Sequence, residues 1–373
     1  MKIFFLIAPF SIFLLSAETK AQSASFEEKI KKYETALQAF HQQHNIPSLS
    51  FAILKDQQLI YSNAFGYADI KQKIRATDTT LYSIASLTKP VAATLIMKLY
   101  EEGKVDIDAP IKDYWKGYIP YFTNQKKMFS KYYRQYLFYI KDYNYNDYNI
   151  TMRHHLTHTS EGIPGTNFKY NGLLYGRLAK VIDVLFPENF IGLMDSCIFK
   201  KLKLEHSFLN YEILKKSPAP GALALPYVHD ENNNSFRRKG FPDPADLNAG
   251  AGLICSVKDL ARFDIAFDKN ELISAKTKEL MLMPNKGING EIFQYGIGWF
   301  VSTYHNSPII YHYGLQETYS GFYLKLPEKN ITMIVLANSS GLTGEYNRDI
   351  QNANLDGIPY VKNFLDLFEK DKN

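Results

Sequence analysis

"SIASLTKPVAATLIMKLYEEG", residues 83–103, sets Ser86 and Lys89 three residues apart at the head of an apolar helical run. On a helix, residues i and i+3 share a face, so the two side chains can meet. A serine hydroxyl is a weak nucleophile at neutral pH and needs a base within hydrogen-bond reach. A lysine becomes such a base only when burial or neighbouring charge lowers its pKa, and the apolar run "PVAATLIMKLY" offers that setting. Free N–H groups and the positive dipole end of the helix would also favour an oxyanion beside Ser86. The spacing alone decides nothing, because a Ser-x-x-Lys pair arises about once or twice by chance in a chain this long. Ser86 is, however, the only serine here with lysine at +3. The competing reading is a plain helix start, with Ser86 or Thr88 as cap and Lys89 reaching outward.

Upstream, "SLSFAILKDQQLIYSNAFGYAD" (48–69) gives two β-rich runs around "KDQQ", a hairpin signature. Before it, "SFEEKIKKYETALQAFHQQHN" (25–45) has helical spacing, with Ser25 as the expected N-cap and acidic residues in the first turn. Downstream, "YGIGWFVST" (295–303), "PIIYHYG" (308–314), "YSGFYLKL" (319–326) and "ITMIVLAN" (331–338) read as strands, and "VKNFLDLFEK" as a closing helix. Strands at both ends with mainly helical sequence between them predict an α/β (α+β) chain. Its antiparallel sheet is made by the two termini and flanked by helices, with a large helical region inserted.

The chain has 373 residues, 46% hydrophobic and 22% charged, with a net charge of +5. That is globular composition, and the scattered basic residues give no track for a phosphate backbone, so nucleic acid is not an expected partner. Residues 1–21 read as a secretory signal, with Lys2, the apolar stretch Ile3–Leu15, and cleavage sites at Ala17 or Ala21. The apolar run is too short to span a membrane comfortably. The mature protein is therefore expected in the periplasm or secreted, with no stable membrane span. Its two cysteines, Cys197 and Cys255, are too few for a disulfide framework and are expected as buried free thiols. The three histidines of "RHHLTHTS" lack a carboxylate pattern, so no metal is expected. Residues 111–149 hold ten of the 27 tyrosines, read first as a packed helical insertion and second as a sugar-binding face.

Two further stretches give Ser86 and Lys89 their company: "ITMRHHLTHTSEGIPGTNFKYNGLLYGRLAKVID" (150–183) and "PIIYHYGLQETYSGFYLKLPEKNITMIVLAN" (308–338). Together the three resemble the serine β-lactamase and penicillin-binding-protein superfamily, and within it the class C β-lactamase-related hydrolases: esterases, D-peptidases and lactamases. Weaker landmarks agree, namely "NIPSLSFAILKDQQLIYSNAFGYAD", "LTHTS", "AGAGLICSVKDLARF" and "YGIGWF". The resemblance implies a β-lactamase/DD-peptidase-like fold and a cofactor-free serine hydrolase. With the signal at 1–21, the expected domain bounds are 22–345 for the hydrolase domain, the tyrosine-rich insertion 111–149 within it, and 346–373 for a C-terminal helical tail.

It also implies roles. Ser86 would be the acylated nucleophile and Lys89 its base. Tyr170 would be the tyrosine of the Tyr-x-Asn element, moving a proton to the leaving group. His312 would occupy the place of the lysine in the Lys-Thr-Gly strand. The N–H groups of Ser86 and Leu315 would form the oxyanion hole, and Gly172, Tyr313 and Gly314 would face substrate. Two departures stand out: Gly172 replaces the asparagine of Tyr-x-Asn, and the gap between "HTSEGIP" and Tyr170 is short. "YSN" at 61–63 matches Tyr-x-Asn better by letter, but it precedes Ser86 and is read as an ordinary strand pair. The expected partner is a small-molecule or peptide acyl substrate, with cell-wall peptide among the candidates. A His312 that is neutral near its ordinary pKa of ~6.5 tilts the choice to esters or small D-amino-acid amides. The alternative is a non-catalytic peptidoglycan- or glycan-binding protein of the same fold.

Overall fold

The hairpin predicted around "KDQQ" forms because Asp56 and Gln57 both take left-handed backbone angles, with φ of 50° and 60°. Such a two-residue turn has the twist that antiparallel strands need. It joins β1 (Ser48–Lys55) to β2 (Gln58–Asp69). The computed structural model describes residues 10–132, 137, 140, 149–209, 223–232, 235–241 and 248–369, with backbone only for 10–24 and 132.

The remaining strands of the main sheet are β3 (Ile74–Arg75), β4 (Phe300–Tyr304), β5 (Ser307–Leu315), β6 (Ser320–Leu326) and β7 (Ile331–Ala337). Their order is β4-β5-β6-β7-β1-β2-β3, with antiparallel pairing throughout. The two ends of the chain meet at the β1–β7 seam, where Leu49 faces Ala337 and Lys55 faces Ile331. Alternate residues supply opposite faces of the sheet. Leu49, Phe51, Ile53, Met333 and Val335 pack in one core, while Ala52, Leu54, Ile334 and Leu336 pack in the other. Burial on both faces explains why these strands read as nearly continuous apolar runs.

Helices α1 (Phe10–Gln43) and α7 (Pro359–Phe368) cover the first face, with Tyr33 edge-on to Phe364 at 5.3 Å. Residues 359–368, inside the segment that the sequence sets apart as a tail, thus belong to the same core. The second face meets α2 (Thr88–Glu101) and α6 (Val257–Asp268). Beyond these lie α3 (Tyr118–Tyr132), α4 (Gly172–Tyr175) and α5 (Arg177–Leu185). A buried ion-pair cluster fixes α6 to the sheet. Lys325 of β6 contacts Asp264 and, at 2.9 Å, Asp268.

Three expectations change. Ser25 caps nothing, because α1 runs unbroken from Phe10; residues 17–24 contain no glycine or proline to stop it. The strand expected over 295–303 is confined to 300–304. Gly298 takes φ +81°, and a Cβ there would lie 2.7 Å from the Cβ of Ala93, so the chain bends against α2 instead of extending. Cys197 is half-buried rather than buried, although both thiols are free. The "YSN" pair does sit in β2, where Tyr61 Oη and Asn63 Nδ2 both donate to Glu34 of α1. Of the tyrosine-rich stretch, α3 packs Tyr118, Phe122 and Phe129 inward. Residues 133–136, 138–139 and 141–148 lie outside the described residues.

Candidate active site

The nucleophile candidate sits on a turn held by its backbone. Ala85 takes a left-handed φ of 48°, a conformation that costs a non-glycine residue roughly 1–2 kcal/mol. Surrounding bonds enforce it. Leu87 N–H donates to the Ile84 carbonyl, Ile84 N–H to the Leu253 carbonyl, and Thr88 Oγ1 to the Ala85 carbonyl at 2.7 Å. Thr88 Oγ1 in turn accepts from Leu253 N–H. Thr88 is therefore committed to the backbone, and Ser86, half-buried at the start of α2, has its hydroxyl at the mouth of the helix.

Lys89 does not reach outward. It is wholly buried, with Nζ 2.8 Å from Ser86 Oγ and donating to the Gly250 carbonyl at 2.8 Å. Burial lowers its pKa from 10.5 to about 7. The ammonium form loses hydration in this apolar socket, so the free amine, which is a base, becomes accessible near neutrality. The rings of Tyr170 and Tyr175 flank the same nitrogen, with centroids at 5.1 Å and 5.3 Å.

Tyr170 lies in an extended segment tied to "LTHTS". Lys169 N–H donates to the His158 carbonyl and Asn171 N–H to His158 Nδ1. Asn171, next to the position where the motif expects an amide, turns away from Lys89. Its Oδ1 accepts from Leu173 N–H and Leu174 N–H as the N-cap of α4, while Nδ2 donates to Glu161 Oε1 at 2.7 Å. Capping and the buried Glu161 leave it no freedom to swing back. Gly172 stands open instead. A Cβ there would meet one atom within 4 Å, Lys89 Nζ at 3.5 Å.

On β5, His312 is buried and its protonation is dictated by its partners. Nδ1 donates to the Tyr313 carbonyl at 2.8 Å, so Nε2 carries the lone pair and accepts from Tyr295 Oη at 3.1 Å. Burial, reinforced by the nearby Lys89, pushes its pKa well below 6.5, so the ring is neutral. Gly314 follows, and a Cβ there would fall 2.3 Å from the Ile84 carbonyl oxygen. Only glycine lets the strand press against the turn that carries Ser86; Leu315, half-buried, ends β5 opposite Ser320. Tyr313, expected to face substrate, is 3% exposed. It supports Tyr170 from behind, ring to ring at 5.7 Å, with its hydroxyl accepting from Gln351 Nε2.

The Beta-lactamase family model matches residues 32–357, which takes in the sheet and every residue of this cluster. The chain belongs to the Beta-lactamase family. It is 24% identical over 336 residues to Protein flp of Staphylococcus aureus, covering 85% of this chain and 64% of that one, so it spans under two thirds of that relative's length. Among solved structures, an octameric penicillin-binding protein homologue from Pyrococcus abyssi superposes with TM-score 0.70 at 23% identity, covering 90% of this chain and 79% of the other. A penicillin-binding protein from Bacillus halodurans gives TM-score 0.66 at 18% identity, over 85% of this chain and 98% of its own. These two likenesses carry the fold.

Within this Beta-lactamase-family fold, Ser86, Tyr170 and Gly172 gather around Lys89, with the His312 ring 6.0 Å from that of Tyr170. Four participants had no role assigned from sequence: the Gly250 carbonyl, Tyr175, Tyr295 and Glu161. Gly250 lies in "AGAGLICSVKDLARF" and Tyr295 opens "YGIGWF", both noted as landmarks without a function. A buried lysine that must be neutral needs an acceptor, and a buried histidine needs two partners; those demands were the available signals.

Proposed function

We propose that the protein is an exported serine hydrolase that works through an acyl-enzyme on Ser86. The observation that carries this reading is Lys89, wholly buried, 2.8 Å from Ser86 Oγ, with its pKa lowered to about 7. Lys89 takes the Ser86 proton as Oγ attacks the carbonyl carbon. The resulting oxyanion is held by the N–H groups of Ser86 and Leu315, donors worth roughly 10²–10³ in rate each. Tyr170 relays the proton to the leaving group, and water then releases the acyl chain.

The site favours esters or small D-amino-acid amides over β-lactams. Gly172 offers no side-chain amide to a substrate carbonyl, and neutral His312 offers no cation to the carboxylate of a penicillin. The test is labelling with a fluorophosphonate and a fluorescent penicillin, wild type against Ser86→Ala. Ser86-dependent labelling is expected with the fluorophosphonate. Absence of Ser86-dependent label with either probe, and of turnover with any acyl substrate, overturns the reading in favour of a cell-wall-binding protein, which the open Gly172 would suit. A cephalosporin turned over with higher kcat/KM than short acyl esters overturns the substrate preference. Export to the periplasm or medium rests on residues 1–21; among the described residues no helix is long and apolar enough to cross a membrane. Fractionation of tagged cells tests it.

A further inference from the structure

Thr157, His158 and Thr159 close the short helix Met152–Leu156 in a tight turn. His158 N–H donates to the His155 carbonyl and Thr159 N–H to the His154 carbonyl at 2.8 Å, while His158 itself takes a left-handed φ of 55°. Glycine or asparagine commonly fills that place, because a larger side chain is strained there. His158 is also buried, and its Nε2 has no hydrogen-bond partner. Strain and an unsatisfied buried nitrogen both destabilise the fold, so a histidine here needs a reason beyond the turn.

The reason lies in its other bonds. The His158 carbonyl accepts from Lys169 N–H at 2.9 Å, and Nδ1 accepts from Asn171 N–H at 3.1 Å. One residue therefore grips the chain on both sides of Tyr170. Its ring lies 4.5 Å from the Tyr170 ring, with those of Tyr175 and Tyr295 at 5.2 Å and 4.9 Å. An Nδ1 that accepts from a backbone N–H keeps its lone pair, so the proton sits on Nε2 and the ring is neutral. Burial, reinforced by the nearby Lys89, pushes its pKa well below 6.5 and holds it in that form. Protonation would set one donor against another and release Asn171.

We propose that His158 is the positioning residue for Tyr170: its carbonyl and Nδ1 fix the backbone of residues 169–171 and so aim the tyrosine that protonates the leaving group. The inference rests on the reading of Ser86 as nucleophile and Tyr170 as the donor to the leaving group. His158 thus acts on the one step that needs this proton. An alkoxide leaves poorly until it is protonated, whereas p-nitrophenolate leaves as the anion. Only alkyl esters should therefore sense a misdirected Tyr170.

The experiment measures kcat/KM for ethyl acetate and p-nitrophenyl acetate in wild type, His158→Phe and His158→Asn, with Ser86→Ala as the blank. His158→Phe keeps a ring and loses the acceptor. His158→Asn places Oδ1 near the position of Nδ1 and suits the left-handed turn. His158→Phe is expected to lose about tenfold to hundredfold on ethyl acetate and less than about threefold on p-nitrophenyl acetate. His158→Asn should stay within about threefold of wild type on both, and in a Tyr170→Phe background His158→Phe should cost nothing further on ethyl acetate. Equal losses on the two esters, a His158→Asn as poor as His158→Phe, or losses that add to those of Tyr170→Phe overturn the proposal. Should His158→Phe not fold, His158→Gly takes its place, because glycine suits the turn and equally lacks the acceptor. If neither ester is turned over in a Ser86-dependent way, the hydrolase reading fails and the role of His158 falls with it. If turnover depends on Ser86 and the leaving-group pattern is absent, the role of His158 alone fails.

Discussion

Replacing Lys89 with methionine should stabilise the protein while abolishing turnover. Burial moves the Lys89 pKa from 10.5 to about 7, and that shift corresponds to about 5 kcal/mol of native-state penalty at any pH below the folded value. Between the two pKa values the unfolded chain binds a proton that the native state lacks, so native stability rises with pH across this window, by about 1.4 kcal/mol per unit. Methionine fills the socket without charge but loses the contacts to Ser86 and the Gly250 carbonyl, about 1 kcal/mol each. The expected net gain for Lys89→Met is about 2–3 kcal/mol at about pH 6, shrinking as pH rises above the folded value and reversing near about pH 9. Urea unfolding of wild type and variant at about pH 6, 8 and 10 reads this directly, because subtraction removes every other titrating group. A difference that is constant across that range, or a variant less stable at every pH, refutes the claim that Lys89 is held in its neutral form. The same group sets the rate. For an uncharged ester, wild-type kcat/KM should climb as Lys89 loses its proton, with a midpoint near pH 7.

Gly172→Asn puts an amide beside Lys89 Nζ, from which its new Cβ would lie 3.5 Å. The ratio of nitrocefin to ethyl acetate kcat/KM should rise about tenfold, roughly 1.4 kcal/mol for one new hydrogen bond; an unchanged ratio counts against Gly172 as the specificity determinant. Tyr295→Phe removes the hydroxyl that His312 Nε2 accepts from. Stability should fall by about 1–3 kcal/mol for the unsatisfied nitrogen, and the ¹⁵N shift of Nε2 should move while Nδ1 stays protonated against the Tyr313 carbonyl. Wild-type-like shifts would remove Tyr295 from the site. Asn171→Ala deletes both the α4 cap and the bond to Glu161, so a loss of about 1–2 kcal/mol in urea unfolding is expected. Its activity loss should fall on kcat through a loosened Tyr170, and a loss in KM alone would argue otherwise.

The sheet was legible because strands buried on both faces read as short β-branched and aromatic runs between turn residues, and the hairpin because two such runs flank "KDQQ". The order of the motifs made Ser86, Lys89, Tyr170 and His312 readable together, although no single one sufficed. What stayed hidden depends on contacts between distant segments. That Gly298 bends the chain away from a strand follows from Ala93, 205 residues earlier by position and adjacent only in the fold. That Asn171 turns from the cleft follows from Glu161, whose buried carboxylate no local pattern announces. Ser25 was misjudged for a simpler reason: a good cap residue stops nothing when good helix formers precede it.

The β1–β7 seam has a consequence for biogenesis. Ser48 N–H is bonded to Asn338 Oδ1, a partner 290 residues further along the chain, so the strand made first waits for nearly the last one. Until residues 331–337 emerge, β1 presents an unpaired edge to its surroundings, and pairing at such separation is intrinsically slow. A nascent chain that cannot close its central sheet remains threadable. For a protein read as exported, late closure keeps it competent for passage through a translocation pore and defers assembly of the Ser86 cleft until the whole chain has crossed.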